Sequence, residues 1–322
     1  MAHVTIYEIL KNTKKEKFGI PCLAGSTLEM IIGIIKAAED KNSPVIICYN
    51  KQLSPEIPIE ISMPLIVNAA ERSRVPVATI LDHGSDFDLI LKAIHYGSSS
   101  VMFDGSGLPF KENILKTTEI VKIVHALNVS VEAELGGIGG SALEATLTSE
   151  MESIFTSLNE VQEFVESTGI DALAISFGNA HGRYMGEPKL DLELVRKISQ
   201  LVDIPLVMHG ASGLELETYK LIVESGISKI NYFSAMCRGI YEKMKNFLES
   251  VGEDAFCINT IPMSINYWYE ETSTLSDALN CKGKANMTYD IFNDQTGQLN
   301  DFVGIISEAV YKKISDKLKN KY

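Results

Sequence analysis

Five short apolar runs of this 322-residue chain end in residues able to do chemistry. Val77 to Leu81 runs into Asp82-His83-Gly84, Val129 to Leu135 carries Glu132 and Glu134, and Ala172 to Phe177 leads to His181-Gly182. Leu206 to Met208 ends in His209-Gly210, and Lys229-Ile230 ends in Asn231. His83, His181 and His209 are three of only six histidines, and with Glu134 they make a sensible first shell for Zn2+, which favours imidazole and carboxylate donors. Each histidine taken alone reads as an isolated core or loop residue; it is their shared placement that favours a metal. Glu132 and Glu134 stand two apart on one run, so both face the same way in a strand. Burying two carboxylates side by side requires a cation or protons to offset their repulsion. Asp82 adjoins a candidate ligand, where a carboxylate either transfers a proton or orients an imidazole, and spacing leaves the two open. His3, His95 and His125 lie apart from this group and read as structural.

Such residues need a scaffold that collects strand ends. Eight runs have the length and β-branched content of strands buried on both faces: Phe18 to Ala24, Val45 to Tyr49, Val77 to Leu81, Ser100 to Phe103, Val129 to Glu134, Ala172 to Phe177, Leu206 to His209 and Ser228 to Asn231. Amphipathic stretches alternate with them, at Thr27 to Asp40, Ile57 to Arg72, Asp86 to Tyr96, Lys111 to Leu127, Leu158 to Ser167, Asp191 to Leu201 and Glu215 to Glu224. Gly97, Gly169 and Gly226 each follow a helical stretch, as a C-terminal cap requires. Repeated βα units predict an α/β protein of the (β/α)8 TIM-barrel class. An open doubly wound sheet gives similar alternation, but no GxGxxG follows the first strand. In a barrel the strand ends converge on the C-terminal face, where active sites sit.

The small-residue loops after the last two strands, His209-Gly210-Ala211-Ser212-Gly213 and Asn231-Tyr232-Phe233-Ser234, fall where barrels often bind phosphate through backbone N–H groups and a helix N-terminus. Beyond a helix from Phe233 to about Glu249, Val251 to Asn300 reads as polar and irregular, with Tyr267, Trp268 and Tyr269 adjacent, before a helical run from Phe302 to Leu318. The expected organisation is a barrel over residues 1–250 and a C-terminal extension over 251–322 that packs on the barrel or on a partner subunit. The three aromatics are expected to cover the active site or a dimer interface, since exposed together they would favour association.

Composition narrows the function. Hydrophobic residues make up 45% and charged residues 22%, an ordinary globular balance. A net charge of -13 repels phosphate backbones, so nucleic acid is not expected as a partner. Five cysteines without a CxxC pair fit a reducing compartment. Neither a signal peptide nor a membrane-crossing run is seen, so a cytoplasmic protein without a membrane partner is expected.

Read in order, the motifs resemble the class II, metal-dependent fructose-bisphosphate and tagatose-bisphosphate aldolases from about residue 5 to 250. They are Leu81-Asp82-His83-Gly84, Ser100-Val101-Met102-Phe103-Asp104, Val129-Ser130-Val131-Glu132-Ala133-Glu134-Leu135-Gly136, Gly169-Ile170-Asp171, Ala180-His181-Gly182, His209-Gly210-Ala211-Ser212-Gly213 and Lys229-Ile230-Asn231. The resemblance implies a homodimeric or homotetrameric barrel holding Zn2+, with a monovalent cation admitted beside it. It implies cleavage of a phosphorylated ketose to dihydroxyacetone phosphate and an aldehyde, or the reverse. His83, His181 and His209 match the zinc ligands, Glu134 the glutamate near the metal, and Asp82 the acid/base for the C4 hydroxyl. Gly182, Gly210, Ser212 and Ser234 match phosphate-binding positions, and Asn231 matches the amide that contacts the dihydroxyacetone moiety.

Departures from the pattern are as specific. The loop glutamate that moves the C3 proton in the family is matched by Ala142; Glu144 replaces it if the loop shifts, as do Glu150 or Glu152, or else the reaction differs. Ala24 stands in place of a substrate-facing Asn and Ala235 in place of an acidic residue, and the family's distal-phosphate stretch has no counterpart. These changes point to an aldehyde other than glyceraldehyde 3-phosphate. They also leave open a non-aldol isomerase or epimerase, or a silent sugar-phosphate-binding homologue.

Overall fold

A computed structural model of the chain describes residues 2–53, 55–138, 154–182, 184, 188–252 and 256–286. The chain opens with β1 (His3–Val4), α1 (Ile6–Leu10) and α2 (Thr13–Glu16). Alternation then begins with β2 (Ile20–Ala24), α3 (Leu28–Lys41), β3 (Val45–Tyr49), α4 (Ile59–Arg72), β4 (Val77–Gly84) and α5 (Phe87–His95). It continues through β5 (Ser100–Phe103), α6 (Phe110–His125), β6 (Ser130–Leu135), α7 (Leu158–Thr168), β7 (Ala172–Ile175), α8 (Leu192–Leu201), β8 (Leu206–Met208), α9 (Leu216–Ser225) and β9 (Ile227–Asn231). Two helices follow, α10 (Ser234–Val251) and α11 (Thr260–Ala278).

Strands β2 to β9 pair in parallel and close through β2 with β9 and β4 with β5, giving an eight-stranded (β/α)8 barrel. All eight expected strands are present within two residues at most boundaries. Of β2 to β9, every strand but β4 and β9 is buried at each position, which is why the runs read as continuous apolar stretches instead of alternating ones. Thr27, Asp86 and Asp191 cap α3, α5 and α8 by accepting from backbone N–H groups three residues on. Gly97, Gly169 and Gly226 take positive φ after their helices, as expected.

The short β1 was not anticipated. It pairs with β4 at Val77 and Ala78, on the edge that β5 leaves open until Ile80. Behind it, Ile6, Ile9 and Leu10 of α1 are buried against β4 and β6, closing the N-terminal end of the barrel.

The segment after α10 differs from the irregular reading. Thr260–Ala278 is a helix lying along α3. Gly33 permits the close approach, because a Cβ there would stand 2.7 Å from Trp268 Cβ and against the Ile265 carbonyl. Tyr267 and Trp268 are 3% and 4% exposed within the single chain, and neither they nor Tyr269 line the cleft at the strand ends. They pack on α3 and α10 instead of covering the active site, and no partner subunit is needed to bury them. The expected run Phe302 to Leu318 lies outside the described residues.

Candidate metal and active site

The cleft at the C-terminal end of the barrel has a volume of about 180 Å³. Asp82, His83, Glu134, His181, Gly182, His209, Gly210, Ser212, Asn231 and Ser234 all line it. The structure brings these ten residues together at one rim. Glu144, the expected replacement for the loop glutamate, lies outside the described residues, as do Ala142, Glu150 and Glu152.

Asp82 and His83 are neighbours on β4, and a regular strand would point them to opposite faces. The β4–β5 register slips by one residue between Leu81 and Gly84, and His83 takes φ of 51°, a left-handed conformation uncommon outside glycine. This bulge lets both side chains enter the cleft, and such local strain is typical of functional sites.

The three imidazoles meet. Their ring centroids are 4.6 Å apart for His83 and His209, 5.2 Å for His83 and His181, and 5.9 Å for His181 and His209. One nitrogen from each lies within 4.8 Å of the others, close enough to share an ion. Glu134 does not join that set. It forms a second one with His83 and Asp104, because the β5–β6 register sets Phe103 beside Ala133 and so Asp104 beside Glu134.

Asp104 and Asn50 were not assigned roles from sequence. Asp104 Oδ2 is 2.8 Å from His83 Nδ1, and its Oδ1 accepts from the Ser106 hydroxyl at 2.7 Å. Asn50 donates to Asp82 Oδ2 at 2.9 Å while Asn231 donates to Asp82 Oδ1 at 2.9 Å, so the carboxylate is gripped from both sides. Both residues directly follow expected strands, and the strand-end rule that found Asn231 would have found them. Asn179 and Tyr184 link the His181 and His209 loops. Asn179 donates to the His209 carbonyl at 2.9 Å, and the Tyr184 hydroxyl accepts from Ala180 N at 3.0 Å and donates to the Gly210 carbonyl at 2.6 Å.

The paired glutamates resolve in two ways. Glu132 is fully buried and meets the equally buried Lys229 ammonium at 2.8 and 3.0 Å, with His209 Nε2 at 2.9 Å. Glu134 lacks such a cation: its Oε2 is buried without a hydrogen-bond partner. Burial foremost, with Asp104 nearby, pushes the Glu134 carboxyl up to about 8.

Burial alone would raise Asp82, but the charges on His83 and Lys229, the adjoining His209 ring and the Asn50 hydrogen bond together outweigh it and hold the carboxyl well below its ordinary range. For His83 burial likewise works against charge, yet Asp82, the hydrogen bond to Asp104 and Glu134 prevail and raise it to about 9. Burial and the neighbouring imidazoles lower His181 to about 3, and burial lowers His209. The remaining histidines do stand apart: His3 meets Thr79 at 2.8 Å, His125 meets Asp171 at 2.8 Å, and His95 packs on Tyr96.

This donor set suits a divalent cation. Three imidazole nitrogens converge, two of the rings also give a nitrogen to a carboxylate, and an orphaned glutamate oxygen lies beside them. A barrel with such a rim defines a metal-dependent enzyme class.

Comparison with known proteins agrees. The profile of the fructose-bisphosphate aldolase class-II family matches residues 4–288. The crystal structure of the YdjI aldolase from Escherichia coli K12 shares 31% identity and a TM-score of 0.78, covering 88% of this chain and 99% of that one. A putative fructose-1,6-biphosphate aldolase from Coccidioides immitis is 28% identical with a TM-score of 0.78, covering 88% and 98%. Fructose-bisphosphate aldolase from Campylobacter jejuni, at 21% identity and a TM-score of 0.70 over 88% and 97%, shares the fold. The chain belongs to the class-II fructose-bisphosphate aldolase family and is a carbon–carbon lyase of that type. Aldolases of this class are metal-dependent. Among the described residues no helix is long and apolar enough to cross a membrane.

Proposed function

We propose that the chain is a Zn2+-dependent aldolase making or cleaving the C3–C4 bond of a phosphorylated ketose, with dihydroxyacetone phosphate and an aldehyde other than glyceraldehyde 3-phosphate as the products. The observation that carries the reading is the meeting of three imidazoles beside a doubly hydrogen-bonded Asp82. His83, His181 and His209 would hold the ion, with Glu134 and Asp104 the nearest further donors; imidazole donors of this kind suit catalytic zinc. When bound, the cation supplies Lewis acidity at the ketone oxygen and stabilises negative charge there.

The chain's own groups do the rest. Asp82, kept ionised, removes the C4 hydroxyl proton as the C3–C4 electron pair withdraws toward the ketone and C4 becomes the aldehyde carbonyl. Asn231 orients Asp82 through its amide N–H, and its buried Oδ1, which has no protein partner, is left to accept from a hydroxyl of the dihydroxyacetone moiety. Gly182, Gly210, Ser212 and Ser234 line the cleft where α10 begins, and their backbone and hydroxyl donors hold the phosphate. Glu144 returns the proton to C3. A cytoplasmic homodimer or homotetramer, with a monovalent cation as a second ion, completes the proposal.

The test is an assay of purified enzyme with a panel of ketose 1-phosphates, before and after chelation and Zn2+ reconstitution. Metal-dependent release of dihydroxyacetone phosphate is expected. Solvent deuterium entering the substrate without carbon–carbon cleavage would identify an isomerase instead, and tight binding without turnover a silent homologue.

A further inference from the structure

Lys229 and Glu132 are both fully buried inside the barrel, 97 residues apart in sequence. A buried ion pair is seldom more stabilising than an apolar pair of similar size, so its attachments are informative. The Lys229 ammonium donates to both carboxylate oxygens, Oε1 at 3.0 Å and Oε2 at 2.8 Å, which fixes the plane of the group. Oε1 also faces His209 Nε2 at 2.9 Å. On the other side of the same ring, Asn231 Nδ2 stands 3.3 Å from Nδ1. A carboxylate only accepts and an amide N–H only donates, so both contacts select one tautomer: hydrogen on Nε2 and a lone pair on Nδ1.

We propose that Lys229 is a positioning residue that acts through Glu132 to lock His209 in the tautomer whose Nδ1 can ligate the cation. The inference rests on the metal reading above, but its geometry concerns the metal-free ring. Lys229 does not line the cleft; it sets which nitrogen His209 presents.

The test uses the full chain with ring-15N histidine, His209 being assigned by comparison with His209→Gln, and Zn2+ affinity measured against a chromophoric chelator. Wild type should show a pyrrole-like Nε2 and a pyridine-like Nδ1 at His209. Lys229→Met should mix the tautomers and weaken Zn2+ binding by about 10- to 100-fold, the usual effect of losing a group behind a ligand. Glu132→Gln should reverse the tautomer, because Lys229 then claims the amide oxygen and leaves the NH2 facing the ring. Adding Lys229→Met to Glu132→Gln frees that oxygen, so the double variant should bind Zn2+ more tightly than Glu132→Gln alone. A merely structural lysine cannot produce that change of sign. Unchanged tautomer and affinity in Lys229→Met would overturn the proposal; if that variant does not fold, a wild-type tautomer and affinity in Glu132→Gln would do so. Wild-type protein that takes up no Zn2+ would overturn the metal reading instead, while the metal-free ring spectrum still decides the positioning role.

Discussion

Loading metal into this cleft should expel protons, and the number follows from two perturbed groups. His83 at about 9 and Glu134 at about 8 are both largely protonated at neutral pH, whereas His181 at about 3 is neutral and His209 is pushed the same way. His83 must lose its proton to ligate, and a cation beside Glu134 drives off the proton of that carboxyl, so Zn2+ should displace about two protons at pH 7. The sign follows: affinity rises with pH, by roughly 100-fold per unit below pH 8, roughly tenfold between 8 and 9, and little above. By pH 9.5 the release should fall well below its pH 7 value, because both groups are then mostly deprotonated. Titration calorimetry of Zn2+ into metal-free protein, repeated in non-coordinating buffers of different ionisation enthalpy, reads the proton number directly. Glu134→Gln should lower the pH 7 value by about one. No proton release at pH 7, or a release that is the same at pH 9.5, would refute the reasoning.

Three other perturbations have definite outcomes. Asp82→Asn should lower kcat by about 10²- to 10⁴-fold while bound Zn2+ per chain stays constant, and a kcat within tenfold of wild type would remove Asp82 as the acid/base. Gly210 has φ of 67°, and a Cβ there would press on the Ala180 carbonyl and lie 2.9 Å from His181 N. Gly210→Ala should therefore cost about 1–3 kcal/mol of stability and lower metal content, measured by denaturation and metal analysis. Trp268→Ala should destabilise by about 3–5 kcal/mol with kcat nearly unchanged, since the residue packs on α3 away from the cleft.

The barrel was legible because its strands are short, apolar and buried on both faces, so each announces itself between amphipathic helices. The rim was legible for a related reason: polar residues directly after such runs have one place to go. What sequence could not supply is pairing between distant strands. Glu132 reads as half of a carboxylate pair that needs a cation, but nothing local names Lys229 as that cation. Sequence groups Glu134 with all three histidines, and only the β5–β6 register reveals its place beside Asp104. The bulge that turns Asp82 and His83 into one cleft is equally invisible, since it depends on how β4 meets β5. Helix α11 was missed because its Thr, Ser, Asn and aromatic residues are weak helix formers; packing along α3 supplies what propensity does not. Pro262 misleads in the same direction, though it sits in the first turn, where proline is tolerated.

Zinc-edge anomalous diffraction from crystals of the Zn2+-loaded chain tests the central claim most directly. The account predicts one strong peak shared by ring nitrogens of His83, His181 and His209, at about 2.0–2.1 Å from each. An ion elsewhere, or one touching fewer than three of these rings, would contradict it.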